Sequence, residues 1–215
     1  MKVEIYSDIA CPWCYIGERR FEKAVAQFAG RDDVDVVFRP FQLDPGAPEA
    51  GMPISQYLER RFGGSIADKL QHVTDTAAGE GIAIDWDSAI AANTRTAHRL
   101  LGFAEREYGV EMQHRLVDAL FAAHFSQGVN VADVDALADV AGAVGIDRAK
   151  AHAYLTSDQG VPELTAALGE AAELGVSSVP TFVFEGLYAV SGAQPTATFV
   201  QVLEEVDKRS RVPAE

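Results

Sequence analysis

The sequence predicts an α/β protein in which a small sheet, built from the two ends of the chain, is interrupted by an all-helical insert. Three observations carry this. Period-two alternation of apolar and polar residues is confined to the first forty or so and the last thirty-five or so residues. Helical spacing replaces it for about a hundred residues between them. With 48% hydrophobic and 23% charged residues in 215, there is enough apolar material for a sizeable core, and a disordered chain or a disulfide-stapled miniprotein is excluded.

The first strand is read over Lys2–Asp8, with Val3 and Ile5 on one face and Glu4 and Tyr6 on the other. Ile16, Phe21, Val25 and Phe28, set among Glu18, Arg19, Arg20, Glu22 and Lys23, then describe an amphipathic helix. Val34, Val36 and Phe38 alternate with Asp35, Val37 and Arg39, a second strand expected to lie parallel to the first across that helix. Pro40, Pro45, Gly46, Pro48, Gly51 and Pro53 break the pattern. Four helical stripes follow: Ile54, Tyr57, Leu58 and Phe62; Ala97, Leu100, Leu101, Ala104 and Tyr108; Leu116, Leu120 and Ala123; and Val134, Leu137, Ala138 and Ala141. Their expected role is bundle core rather than a cofactor site. Asp147 to Lys150 opens the last helix of the insert, and Leu164, Ala167, Leu168 and Ala171 mark a helix that stops at Gly175. Thr181–Phe184 and Leu187–Val190 read as two strands about a tight turn at Glu185–Gly186. Pro195 opens a closing helix buried through Phe199, Val202, Leu203 and Val206, and a frayed tail is expected from Arg209 to Glu215.

The 18 basic residues against 32 acidic give a net charge of −14. Such a surface repels phosphate backbones and anionic lipid headgroups, so neither nucleic acid nor a membrane is an expected partner. No apolar run approaches the ~18 residues of a membrane span. Near Met1 there is none of signal-peptide length either, so a soluble, cytoplasmic protein is expected.

The chain has two cysteines, Cys11 and Cys14. Two randomly placed cysteines would fall three apart on the order of one time in a hundred, so the spacing asks for a reason. A structural disulfide across two residues would restrain the unfolded chain very little. A structural zinc wants four ligands, and His72, His98, His114, His124 and His152 are scattered over helical segments, so no metal is expected. A redox dithiol remains. It sits at a strand-to-helix junction, where Pro12 suits the first helical position and Cys11 the N-cap. There the Cys11 sulfur is expected to face unpaired amides and the positive end of the helix dipole, which favour thiolate, the nucleophilic form. Cys14 follows one turn along on the same side, within reach for a disulfide. Cys11, the more exposed sulfur, is expected to exchange with substrate and Cys14 to resolve the mixed disulfide. Trp13 brings no positive charge, so less thiolate stabilisation is expected than with histidine in its place.

Taken alone, Val179–Pro180 before Thr181–Phe184 is a helix stop leading into an edge strand. Together with the dithiol it resembles the cis-proline loop that the thioredoxin superfamily sets against its CxxC pair. The segments from Ser7 through Cys11, Pro12, Trp13 and Cys14 to Gly17, from Asn93 to Leu100, and Val179–Phe182 with Val190–Gln194 occur in the order found in FrnE-type oxidoreductases of the DsbA family. The resemblance covers nearly the whole chain. It implies a thioredoxin-like fold with an inserted all-helical domain, residues 1–52 and 158–215 forming the first and 53–157 the second. It also implies that Val179 offers its backbone to an extended substrate while Pro180 keeps metal-binding groups from the thiols, with Pro12 and Trp13 in support.

The implied activity is thiol–disulfide exchange through the protein's own cysteine pair, with no cofactor. The implied partners are a disulfide- or thiol-containing protein or small molecule, with glutathione or a reductase for regeneration. Two other readings stay open: a glutathione-dependent isomerase or transferase of the kappa or hydroxychromene-carboxylate type, in which Cys14 is dispensable, and a chaperone-like binding module whose dithiol is incidental. Asn93 or Thr94 reads as a helix cap, with Arg95, His98 and Arg99 on its exposed face. By comparison with glutathione-dependent relatives, Arg95 and His98 are also candidates for the cleft facing the dithiol.

Overall fold

The computed structural model describes residues 1–63 and 66–210. In chain order the elements are β1 (Lys2–Ser7), α1 (Pro12–Gln27), β2 (Asp35–Pro40), β3 (Met52–Pro53), α2 (Ile54–Phe62), α3 (Ala67–Gly79), β4 (Ile90–Ala91), α4 (Arg95–Tyr108) and α5 (Val110–Ser126). They continue with α6 (Val134–Ala143), α7 (Arg148–Leu155), α8 (Val161–Glu173), β5 (Thr181–Phe184), β6 (Tyr188–Ser191) and α9 (Thr196–Ser210).

The main sheet has the order β2-β1-β5-β6. β1 runs parallel to β2, with Val3 opposite Val36 and Ile5 opposite Phe38, as the βαβ reading requires. β5 returns antiparallel, Ile5 facing Phe182, and β6 closes the hairpin. The last strand lies one residue later than its alternation suggests, and Glu185 (φ 51°) with Gly186 (φ 67°) makes the turn. On one face α1 and α9 meet the sheet through an aromatic cluster in which Phe199 packs edge-on against both Phe21 and Phe182, at 5.4 and 4.5 Å between ring centroids.

On the other side the central helices dock on β2. An edge strand exposes one row of backbone donors and acceptors. The buried Gln113 of α5 covers part of it, accepting from the Phe38 amide at 3.0 Å and donating to the Phe38 carbonyl at 3.2 Å. The same helix brings a ring nitrogen of His114 to 2.7 Å from the Val36 carbonyl.

Gly109 (φ 88°) reverses the chain between α4 and α5 in a conformation that favours glycine, so that Leu100 and Leu116 can both be fully buried. Asp133 and Asp147 cap α6 and α7, accepting from the amides of Ala136 and Lys150.

Three further features differ from the sequence reading. Phe62 is 57% exposed, so the α2 stripe is not uniform bundle core; Tyr57 and Leu58 are half-buried and border a cavity. His98 and Arg99 lie buried rather than on an exposed face. Arg99 donates to the carbonyls of Tyr154, Leu155, Ser157 and Gln159, which ties the turn after α7 to α4 and supplies the C-terminal end of α7 with the cation it favours. Arg209 and Ser210, expected in the frayed tail, are the last residues of α9; the remainder of that segment lies outside the described residues.

Candidate active site

The site begins where β1 ends. The Asp8 carbonyl accepts from the Cys11 amide at 3.0 Å and turns the chain into α1. Cys11 is the extended N-cap residue (φ −99°, ψ 109°), Pro12 opens the helix, and the Cys14 amide donates to the Cys11 carbonyl at 3.0 Å. Both thiols are free and recessed, Cys11 4% and Cys14 2% exposed. Cys11 is therefore less open than a surface N-cap would be. Its sulfur makes no capping hydrogen bond to the helix amides; the thiol points to the Val179 carbonyl at 3.8 Å, a carbonyl being the acceptor a neutral thiol needs. Burial first, and then the hydrogen bond and charge of neighbouring Cys11, push the Cys14 thiol well above its ordinary range.

The Val179–Pro180 peptide is cis. Its loop is braced from two directions. The Gly192 amide donates to the Pro180 carbonyl at 2.8 Å, and the Arg20 guanidinium donates to the Ala193 carbonyl at 2.7 Å. Gly17 lets α1 approach: a Cβ there would meet Pro180 Cγ at 3.0 Å and Ala193 Cα at 3.4 Å. The three motif segments at the ends of the chain thus converge on one junction.

Asp8 lies beneath it, 1% exposed, with His98 of α4 at 3.3 Å and the Leu43 amide donating to it at 2.7 Å. Burial works to raise the Asp8 carboxyl, but the hydrogen bond and charge of His98, with the Leu43 amide and the Thr94 hydroxyl, hold it below its ordinary value. Arg95, the other cleft candidate, instead extends Nη2 to 3.4 Å from Thr165 of α8. Trp13 is half-buried with its ring 5.7 Å from that of His72 on α3.

Beside the dithiol is a chamber of about 360 Å³, bordered by Cys11, Pro12, Trp13 and Val179 on one side and by α2, α3 and the end of α5 on the other. His124 stands in its wall. The residue is fully buried, neither ring nitrogen has a hydrogen-bond partner among the described residues, and burial pushes its pKa down to about 4 against a smaller upward pull from the Asp8 charge. Sequence reasoning recognised His124 only as a helical histidine. The available signal was its spacing: it follows Leu120 by four residues and so falls on the buried face of α5. A second cavity of about 420 Å³ borders His98 and Arg99 but neither cysteine.

The chain can now be set beside known proteins. The DSBA-like thioredoxin domain family matches residues 2–204. A probable DsbA oxidoreductase from Streptomyces coelicolor is 37% identical and superposes with a TM-score of 0.91, covering 100% of this chain and 93% of that one. The cytosolic disulfide reductase DsbM from Pseudomonas aeruginosa, solved with GSH, is 17% identical with a TM-score of 0.67 over 99% of this chain and all of that one. A 2-hydroxychromene-2-carboxylate isomerase is 18% identical with a TM-score of 0.68 over 98% of each chain. At such low identity the last two show a shared fold. A family match across almost the whole chain, over a buried CxxC pair set against a cis-proline loop, makes this protein a member of the DSBA-like thioredoxin domain family of thiol–disulfide oxidoreductases.

Proposed function

We propose that Cys11 is the exchanging nucleophile and Cys14 the resolving thiol, with Val179 and Pro180 lining the position of the incoming sulfur. The observation that carries this reading is the Cys11 thiol at a helix N-terminus, 3.8 Å from the Val179 carbonyl, with Cys14 one turn behind it. Cys11 thiolate attacks one sulfur of a substrate disulfide; that S–S bond breaks, and the departing thiolate takes up a proton. Cys14 then gives up its proton and attacks the Cys11 sulfur, forming the Cys11–Cys14 disulfide and releasing the second substrate thiol. Two electrons pass from protein to substrate. The raised pKa of Cys14 keeps it protonated, and so slow to react, until the mixed disulfide is in place. Trp13 and Pro12 shape the rim. The chain's two cysteines are both in this pair, which suits a reducing cytoplasm, where the resting dithiol reduces or isomerises disulfides and a thiol such as glutathione, or a reductase, restores it.

The test is equilibration in glutathione redox buffers, trapping free thiols by alkylation and reading species by intact mass. Reversible interconversion of dithiol and disulfide, with Cys14→Ser accumulating a mixed disulfide on Cys11, is the expected result. A pair that stays reduced, or a stable glutathione adduct on the unmodified chain, overturns the assignment in favour of a glutathione-dependent enzyme.

A further inference from the structure

We infer that the chamber beside Cys11 is a substrate site for low-molecular-weight disulfides with an apolar, ring-sized body, and that His124 supplies a hydrogen bond to a polar atom of that body. The inference rests on the thiol–disulfide reading and names its substrate class. The first observation is access. Cys11, 4% exposed, is recessed into the chamber wall, so a disulfide that enters the chamber meets it.

The second observation is size and lining. About 360 Å³ lies in the range of small-molecule sites, and the walls include Trp13, Leu58, Leu70, Trp86 and Phe125. Such walls stabilise a ring or branched chain by removing it from water and offer little to an extended, charged peptide. The polar groups at the mouth are largely engaged already: Asp44 is held by Tyr57 and by Arg61 at 2.6 Å. Lys69 lies over the Phe62 ring at 5.5 Å. The chain's overall charge of −14 further disfavours anionic disulfides.

The third observation is independent of the others. A fully buried imidazole with neither nitrogen partnered is costly, and a neutral ring carries one donor and one acceptor ready for a ligand. His124 is such a ring, and it stands in this wall. A substrate with a ring nitrogen, hydroxyl or carbonyl would satisfy it.

The test is the rate at which the reduced full-length protein is oxidised by dithiodipyridine, bis(hydroxyethyl) disulfide and oxidised glutathione. Each rate is divided by that of the same disulfide with free mercaptoethanol, to remove intrinsic reactivity. The expected result is a normalised preference of about tenfold or more for the aromatic disulfide, the amount that burying one ring confers. Leu58→Arg, which places a charge in the wall, should collapse that preference, and His124→Phe should lower it while the rings still fit. A Leu58→Arg protein that fails to fold leaves Leu70→Gln and His124→Phe to report the same ratio. Equal normalised rates, or a preference for oxidised glutathione or bis(hydroxyethyl) disulfide, overturns the chamber assignment while leaving the exchange activity standing. If no disulfide oxidises the protein, the underlying thiol–disulfide reading itself fails.

Discussion

Lowering the pH should draw a destabilising contribution from His124 before the carboxylates of ordinary pKa are protonated. The imidazole titrates near 6.5 in an unfolded chain and at about 4 in the native one, because burial disfavours its charged form. Above the unfolded value the ring is neutral in both states and contributes no pH dependence. As pH falls below it, the unfolded chain takes up a proton that the native chain refuses, so stability drops. The loss is about 2 kcal/mol by pH 5 and about 3 kcal/mol once pH falls through the native value, after which this residue adds nothing more. Asp8 contributes in a separate window: its native carboxyl is held below its ordinary 3.8, so its stabilisation is lost only in stronger acid. The assay is urea unfolding of the wild type and His124→Phe at pH 7, 6 and 5. Other histidines are common to both proteins and cancel in the difference. Stability of wild type relative to variant should fall by about 2 kcal/mol between pH 7 and 5. A difference that does not move with pH would refute the claim that the ring is buried and neutral.

Gly17→Ala is a helix-interior change that would ordinarily stabilise by about 0.5–1 kcal/mol. Here the new Cβ would lie 3.0 Å from Pro180 Cγ and 3.4 Å from the Ala193 backbone, so a net loss of about 1–2 kcal/mol in urea unfolding and slower exchange with any disulfide are expected. Glu18 is 3% exposed with Oε2 unpartnered, and burial, then Asp118 and Glu22, raise its carboxyl well above 4.5. A carboxyl raised in the native state stabilises below its unfolded pKa and loses that contribution as pH rises through the native one. Glu18→Gln should therefore stabilise the protein by about 1–3 kcal/mol at pH 8 and by less at pH 4; equal effects at both would remove the buried-charge explanation.

Much of the fold is legible because its signals are local. The Cys11–Pro12 junction announces a helix start, and the stripes of α4 to α6 follow the helical period. The β3–β4 pair, two residues on each strand, is too short for any period to register. Polar helix residues read as surface, which puts His98 and Arg99 on an exposed face. Their burial depends on partners fifty-five or more positions away, Asp8 for one and the carbonyls at the end of α7 and just after it for the other. The dithiol was legible from spacing alone. The chamber was not, since Tyr57 and Leu58 of the α2 stripe pack on a small cluster and also border open space, and spacing cannot distinguish a wall from a core.

The Asp8–His98 pair explains how the helical segment comes to matter to chemistry carried by residues at the two ends of the chain. A buried carboxylate costs several kcal/mol unless it is paired and hydrogen-bonded. Asp8 takes much of its support from His98, brought by α4, and from the Leu43 amide, brought by the loop after β2. The backbone of that same residue fixes Cys11, its carbonyl accepting the Cys11 amide. Any shift of α4 away from the sheet would strip the charge of its partner at the residue that positions the nucleophile. The docking of α4, and of α5 through Gln113 on β2, is therefore coupled to the geometry of the dithiol.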